Sequence, residues 1–397
     1  MGQLKPAIIA FALAVAFSAA VAADECSTAV VSGSASVDGR PILWKNRDTD
    51  HLSNKVVFVR ETPYSYLGLV DSDDASGRRI YVGLNAAGFA VMNTVAYNLP
   101  LKPAEAKDLE GSIMADALRR CRTVGDFENY LKENTGRELG SQANFGVIDG
   151  AGGAAVFEVH NNGYQRIDSG SSPGKYVLVT NFSRSGETDK GRGYVRFARL
   201  TELFSRDEDG KFSFDQILGT FARDLQNPYL PSLEPSKRAK LPADKPYYVH
   251  TQQTINRGST SSATVIHGVA AGTDPKEATM WVVLGEPVCG IAVPLWIETG
   301  EVPPELGGMD AAPINRESMR LKSILRSYQD DERVEYLDLS KLQNGNGTGW
   351  LSILVGKETA IVERTRQFLT TNPDRTAKAR FQKQIAAEVL ETLEGIH

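Results

Sequence analysis

Short apolar runs with strand-like alternation dominate the first part of the chain. STAVVSG (27–33) and PILWKNRD (41–48) flank Asp38-Gly39, a dipeptide that favours a hairpin turn. KVVFVRE (55–61), RIYVGLN (79–85) and AGFAVMNTVAYN (87–98) read as further strands, with Gly88 marking a turn. The period then changes. Ile113, Ala117 and Cys121 fall on one helical face, and Val124, Phe127 and Leu131 on a second, so 110–136 predicts a helical pair. ANFGVIDGAGGAAVFEVHNNGYQRID (143–168) predicts a hairpin and KYVLVTNFS (175–183) a strand; 192–206 and 213–225 are helical. Residues 225–248 are rich in Pro and Lys and predict a surface loop. Strand character returns at 250–269 and 279–298, with bends at Pro287 and Pro294. Past residue 300 the pattern is a linker, a helix over 316–329, a flexible NGNGTG turn, and a last helix. That helix carries Phe381, Ile385, Val389 and Leu393 on one stripe, the mark of an amphipathic helix that docks. Strands, helices, strands, helices, strands and a helical tail imply an α+β chain with antiparallel sheets covered by helices.

The N-terminus has its own pattern. Lys5 precedes an apolar run from Ala7 to about Phe17, and Ala20-Val21-Ala22 fits a signal-peptidase site, so 1–22 predict a signal peptide. No other stretch nears the ~20 apolar residues needed to span a bilayer, so the expectation is a periplasmic or secreted protein with no membrane partner after leader removal. About 370 residues remain, enough for one large domain or two smaller ones. Forty-four basic and 49 acidic residues are interspersed for a net charge of -5, which argues against nucleic acid as a partner. The five histidines lack metal-ligand spacing, and no CxxC or HExxH occurs, so neither a metal nor another cofactor is expected. The three cysteines, Cys26, Cys121 and Cys289, allow one internal disulfide at most.

Cys26 follows the leader by a few residues. If the chain is cut just before it, Cys26 carries a thiol beside a free α-amine, whose ordinary pKa of about 7.7–8.0 suits it to take the thiol proton. Ala23-Asp24-Glu25 would then be a short propeptide, removed by a second cleavage that the thiol itself can perform on the preceding peptide bond. On residues alone, a buried or disulfide-bonded Cys26 is the simpler account.

A resemblance reverses that order. Cys26-Ser27-Thr28-Ala29-Val30, Asp38-Gly39 and Lys45-Asn46-Arg47-Asp48 resemble the start of the N-terminal-nucleophile (Ntn) hydrolases that cleave linear amides, the bile salt hydrolase, penicillin V acylase and C45 acyltransferase types. Gly83-Leu84-Asn85-Ala86-Ala87-Gly88-Phe89, Val179-Thr180-Asn181 and Ile255-Asn256-Arg257 resemble later segments of that group in the same order. The resemblance implies an αββα sandwich over 26–300, with 301–397 as a linker and C-terminal helical extension outside it. It also implies roles: Cys26 as nucleophile, Asp48 orienting the thiol and amine, Asn181 and Asn93 as oxyanion donors, and Arg257 beside the thiol. Many amidases of the bile salt hydrolase type have arginine three residues before the aspartate; here that place holds Lys45, and Arg47 adjoins Asp48.

The function expected is an exported amidase acting on a small N-acyl-type amide through a thioester, by hydrolysis or acyl transfer. Two alternatives stay open: an Ntn-type dipeptidase, and a non-catalytic binding domain with Cys26 in a disulfide to Cys121 or Cys289. Assembly into a homo-oligomer also stays open.

Overall fold

The computed structural model describes residues 25–397, apart from 101–107, 137–138, 207–208, 309–310 and 329–333. The expected signal peptide over 1–22, and Ala23 and Asp24 of the expected propeptide, lie outside the described residues. Strand β1 (Glu25–Val31) is nearly continuous in small and β-branched residues and is buried on both faces, as a central strand requires. It pairs antiparallel with β2 (Ile42–Asp48) on one side. β3 (Asn54–Val59), β4 (Tyr66–Asp71), β5 (Val82–Asn85) and β6 (Ala90–Val95) follow as a meander. Helices α1 (Glu110–Arg120) and α2 (Val124–Asn134) come next; a Thr123/Asp126 capping box starts the second. β7 (Gln142–Ile148), β8 (Ala154–His160) and β9 (Gly163–Asp168) extend the meander, and β10 (Tyr176–Val179) returns to pair with β1. After α3 (Tyr194–Ser205) come β11 (Tyr248–His250), β12 (Thr260–His267), β13 (Thr279–Leu284), β14 (Val293–Leu295) and β15 (Tyr336–Asp338).

Two antiparallel sheets result, in the orders β10-β1-β2-β12-β13-β14 and β3-β4-β5-β6-β7-β8-β9; β11 and β15 form a separate ribbon. The large sheets face one another where β1 and β2 lie against β6 and β7. Gly146 on β7 permits that approach: a Cβ there would lie 2.2 Å from Met92 Cε and 2.8 Å from Val30 Cγ2. Strict alternation distributes the seven-stranded sheet between two cores. Ala90, Met92 and Val156 face the inter-sheet core, while Phe89, Val91, Phe145 and Phe157 face α1 and α2 around Phe127. The other sheet is covered by α3 and by the helices Pro313–Leu325 and Arg375–Glu394. The order helix, sheet, sheet, helix is therefore the αββα sandwich expected.

Several elements exceed the sequence reading, β15 among them. β4 went unmarked, because Gly68 interrupts YLGLVD and Val70 is its only β-branched residue. The 143–168 segment adds β9 to the expected hairpin. The chain after NGNGTG also holds a 20-residue helix, Leu351–Thr370, before the final one. Residues past 300 share the main core: Leu321, Leu354, Ile361, Ile385 and Val389 are all fully buried in it, so the stripe of the final helix does dock.

Candidate active site

Strand pairing assembles the site. In register, Glu25 lies opposite Asp48 and Cys26 opposite Arg47, and Asp48 is in turn opposite Thr260 on β12. A β-bulge between Thr260 and Ser262 re-aims Thr260, whose Oγ1 donates to Asp48 Oδ1 at 2.7 Å. Arg257, just before β12, is pinned through its backbone N–H to Thr260 Oγ1 at 3.0 Å. Thr260 is itself held from behind, since Lys322 Nζ of the Pro313–Leu325 helix donates to its carbonyl at 3.2 Å. The residues beyond 300 thus brace the site.

Asn181, directly beyond β10, presents its amide oxygen to the backbone N–H of Cys26 at 2.9 Å. Two further bonds fix the amide orientation: Arg196 Nη2 donates to Oδ1 at 2.9 Å, and Nδ2 donates to Val95 O at 3.0 Å. Asn181 therefore holds the Cys26 nitrogen in this state, whereas the sequence reading had its amide donating to an oxyanion.

Arg196 is the residue the sequence reading missed. The buried positions of α3 are Arg196, Arg199, Leu200, Leu203 and Phe204, so two arginines sit on the stripe that faces the core. An arginine at an apolar helical position was the available signal. Gly193, at φ +79, makes room for it: a Cβ there would lie 2.6 Å from Arg196 Nη2. The fully buried guanidinium donates to Cys26 O at 2.5 Å, to Ser27 Oγ at 3.0 Å and to Glu25 Oε2 at 2.8 Å. Arg257 Nη1 reaches the same Glu25 oxygen at 2.7 Å.

Asp48 completes the group. Its Oδ2 is buried and accepts no hydrogen bond; Arg257 Nε and Arg196 Nη1 stand 3.8 Å and 4.0 Å away. Burial pushes its pKa up to about 6 against the pull of both guanidiniums, and the Glu25 charge adds to the rise. Burial also raises Glu25, but Arg196 and Arg257 outweigh it and hold that carboxyl below its ordinary value. Arg196 is lowered by burial and by repulsion from Arg257, whereas Asp48 and Glu25 outweigh burial to raise Arg257.

Cys26, Asp48, Asn181 and Arg257 thus lie in one cluster with Glu25 and Arg196. Asn93 belongs to an adjoining one. Its Oδ1 accepts from Lys45 Nζ at 2.7 Å and its Nδ2 donates to Glu110 Oε2 at 2.9 Å. Arg47 does not turn to Asp48: it binds Asn54 at 2.5 Å and Asp71 at 2.7 Å, under the Tyr81 ring. No disulfide joins Cys26, Cys121 or Cys289, so the structure does not show the bridge that the binding-domain alternative named. Cys121 and Cys289 are buried in different cores. Among the described residues, no group of His, Cys, Asp and Glu could hold a metal, and no helix is long and apolar enough to cross a membrane.

No family model matches the chain, and no curated protein does. Solved structures do. A variant of the conjugated bile acid hydrolase from Clostridium perfringens is 13% identical, over 65% of this chain and 89% of that one, with a TM-score of 0.38. The Caenorhabditis elegans ortholog of N-acylethanolamine-hydrolyzing acid amidase is 15% identical, over 64% and 98%, at 0.38. Penicillin V acylase from Agrobacterium tumefaciens is 14% identical, over 68% and 86%, at 0.35. These likenesses are distant.

Proposed function

We propose that the chain is an exported amide hydrolase whose nucleophile is Cys26, exposed as the N-terminal residue when the peptide bond to Glu25 is cut. The observation that carries this reading is the Cys26 nitrogen, held at 2.9 Å by Asn181 Oδ1 beside the buried carboxylate of Asp48. In the uncut chain that nitrogen is an amide. Once cut it is an amine able to take the thiol proton, and Asp48 Oδ2 supplies a buried anion for the ammonium that forms. Sγ then attacks the substrate carbonyl carbon, the C–N bond breaks, and the departing amine carries the proton away. Water hydrolyses the resulting thioester, or a second amine accepts the acyl group. Arg196 and Arg257 add positive charge where negative charge develops.

Loss of Glu25 leaves Arg196 and Arg257 around one carboxylate, the ammonium formed at Cys26 being balanced by its thiolate. That surplus repels a further ammonium, which favours an N-acyl amide over a dipeptide with a free N-terminus. The test is turnover of N-acyl p-nitroanilides by the processed protein. The account expects p-nitroaniline release and an acyl adduct on the Cys26 peptide, both absent in Cys26→Ala. Release that survives Cys26→Ala would reject the nucleophile.

A further inference from the structure

Glu25 is bound as a ligand would be. Its Oε2 accepts from Arg196 Nη2 at 2.8 Å and from Arg257 Nη1 at 2.7 Å; the Arg196 guanidinium is anchored independently on Cys26 O and Ser27 Oγ, and Arg257 is fixed through its backbone N–H to Thr260 Oγ1. When the propeptide leaves, the carboxylate leaves with it and the two arginines stay. Asp48 neutralises them only at 3.8–4.0 Å, without a hydrogen bond. One fully buried guanidinium and a second, 12% exposed, that repel one another are a strong anion site. Its place relative to the reacting atoms is set by processing itself, because the Glu25 carbonyl is the acyl carbon that Cys26 attacks there.

We infer that the mature enzyme takes amides whose acyl group carries a carboxylate, spaced from the carbonyl as in a glutaryl group, and that Arg196 and Arg257 bind that carboxylate where they bind Glu25 in the precursor. This rests on the amidase reading above and specifies its substrate. In processing, Sγ bonds to the Glu25 carbonyl carbon as the bond to the Cys26 nitrogen breaks, and that nitrogen takes the thiol proton. Water then adds hydroxyl to the acyl carbon and returns a proton to Sγ, releasing the propeptide. In turnover a glutaryl amide undergoes the same two exchanges, its amine leaving protonated and glutarate leaving last. The propeptide glutamate is thus a covalently attached stand-in for the substrate's acyl part.

The experiment uses the processed full chain with glutaryl-p-nitroanilide, its neutral carbamoylbutanoyl isostere and pentanoyl-p-nitroanilide. The glutaryl compound is expected to have the higher kcat/KM, by on the order of tenfold or more, as charge-assisted hydrogen bonds give. Arg257→Gln should bring the ratio of glutaryl to neutral substrates close to unity. A second measurement needs no turnover: glutarate, unlike butanoate, should slow alkylation of Cys26 by iodoacetamide, and Arg257→Gln should remove that protection. Equal or faster turnover of the neutral anilides would overturn the carboxylate site and leave the amidase standing. No turnover combined with glutarate protection would support the site and count against the amidase. No turnover and no protection would end both.

Discussion

Asp48→Asn separates what this carboxylate costs the fold from what it does in the site. The change keeps the side-chain shape and the bond from Thr260, and removes one charge. Asp48 is wholly buried with its pKa raised from 3.8 to about 6, so its ionised form is disfavoured in the fold by about 3 kcal/mol at neutral pH. The attraction of Arg196 and Arg257 is already included in that figure. A carboxyl with a raised pKa binds its proton more tightly folded than unfolded. Its stability contribution is therefore greatest below 3.8 and declines as the pH rises through about 6. Asparagine has no such decline, but its new amide N–H group faces two guanidiniums and costs about 1–3 kcal/mol at every pH. The pH slope, not the offset, carries the signal. Urea unfolding of Cys26→Ala and of Cys26→Ala with Asp48→Asn compares two unprocessed chains. Between about pH 4 and about pH 7 the difference should move by about 2 kcal/mol in favour of asparagine. A difference that stays flat, or moves the other way, would refute the assignment of an uncompensated carboxylate. With Cys26 restored, Asp48→Asn should lower processing or turnover on the order of 10²-fold, the loss expected when proton transfer is impaired.

Arg196→Met should destabilise the precursor by about 3 kcal/mol or more, because it strips a buried guanidinium from several acceptors at once. Arg196→Lys should not restore it, since an ammonium lacks the fork that spans those acceptors; urea midpoints that match the parent would contradict this. Native iodoacetamide should leave Cys121 and Cys289 unlabelled in peptide maps, since burial pushes the first thiol up to about 12 and the second well above its ordinary value. Glu388 joins the two last helices through Arg364, whose hydrogen bond takes its pKa down to about 2. Its contribution is present above 4.5 and lost as the pH falls through about 2. Because the pair is only partly buried and reaches solvent, Glu388→Gln should cost less than about 1 kcal/mol at neutral pH, less still in acid, and a larger loss would contradict this.

Much of the sandwich was legible because β1, β2 and β6 carry β-branched and apolar runs, and α1 and α2 show helical spacing. β4 escaped because Gly68 interrupts its run and Val70 is its only β-branched residue, so it lacks the β-branched signal of β1. The site was legible through the resemblance, which implied Cys26, Asp48, Asn181, Arg257 and Asn93; strand pairing then brings the first four together. Arg196 escaped because its helix reads as ordinary until the packing face is known, and its partners Cys26, Ser27 and Glu25 lie about 170 residues away in sequence. Glu25 and Lys322 escaped for a related reason. Their roles are to neutralise and to brace, and a linear chain does not display which distant charge meets which.

The most direct test is the mass of the N-terminal peptide of the full-length chain after expression with its leader, before and after native alkylation with iodoacetamide. The account predicts a chain that begins at Cys26 and takes the label there. A chain that retains Glu25 on a Cys26 that stays unlabelled would contradict it.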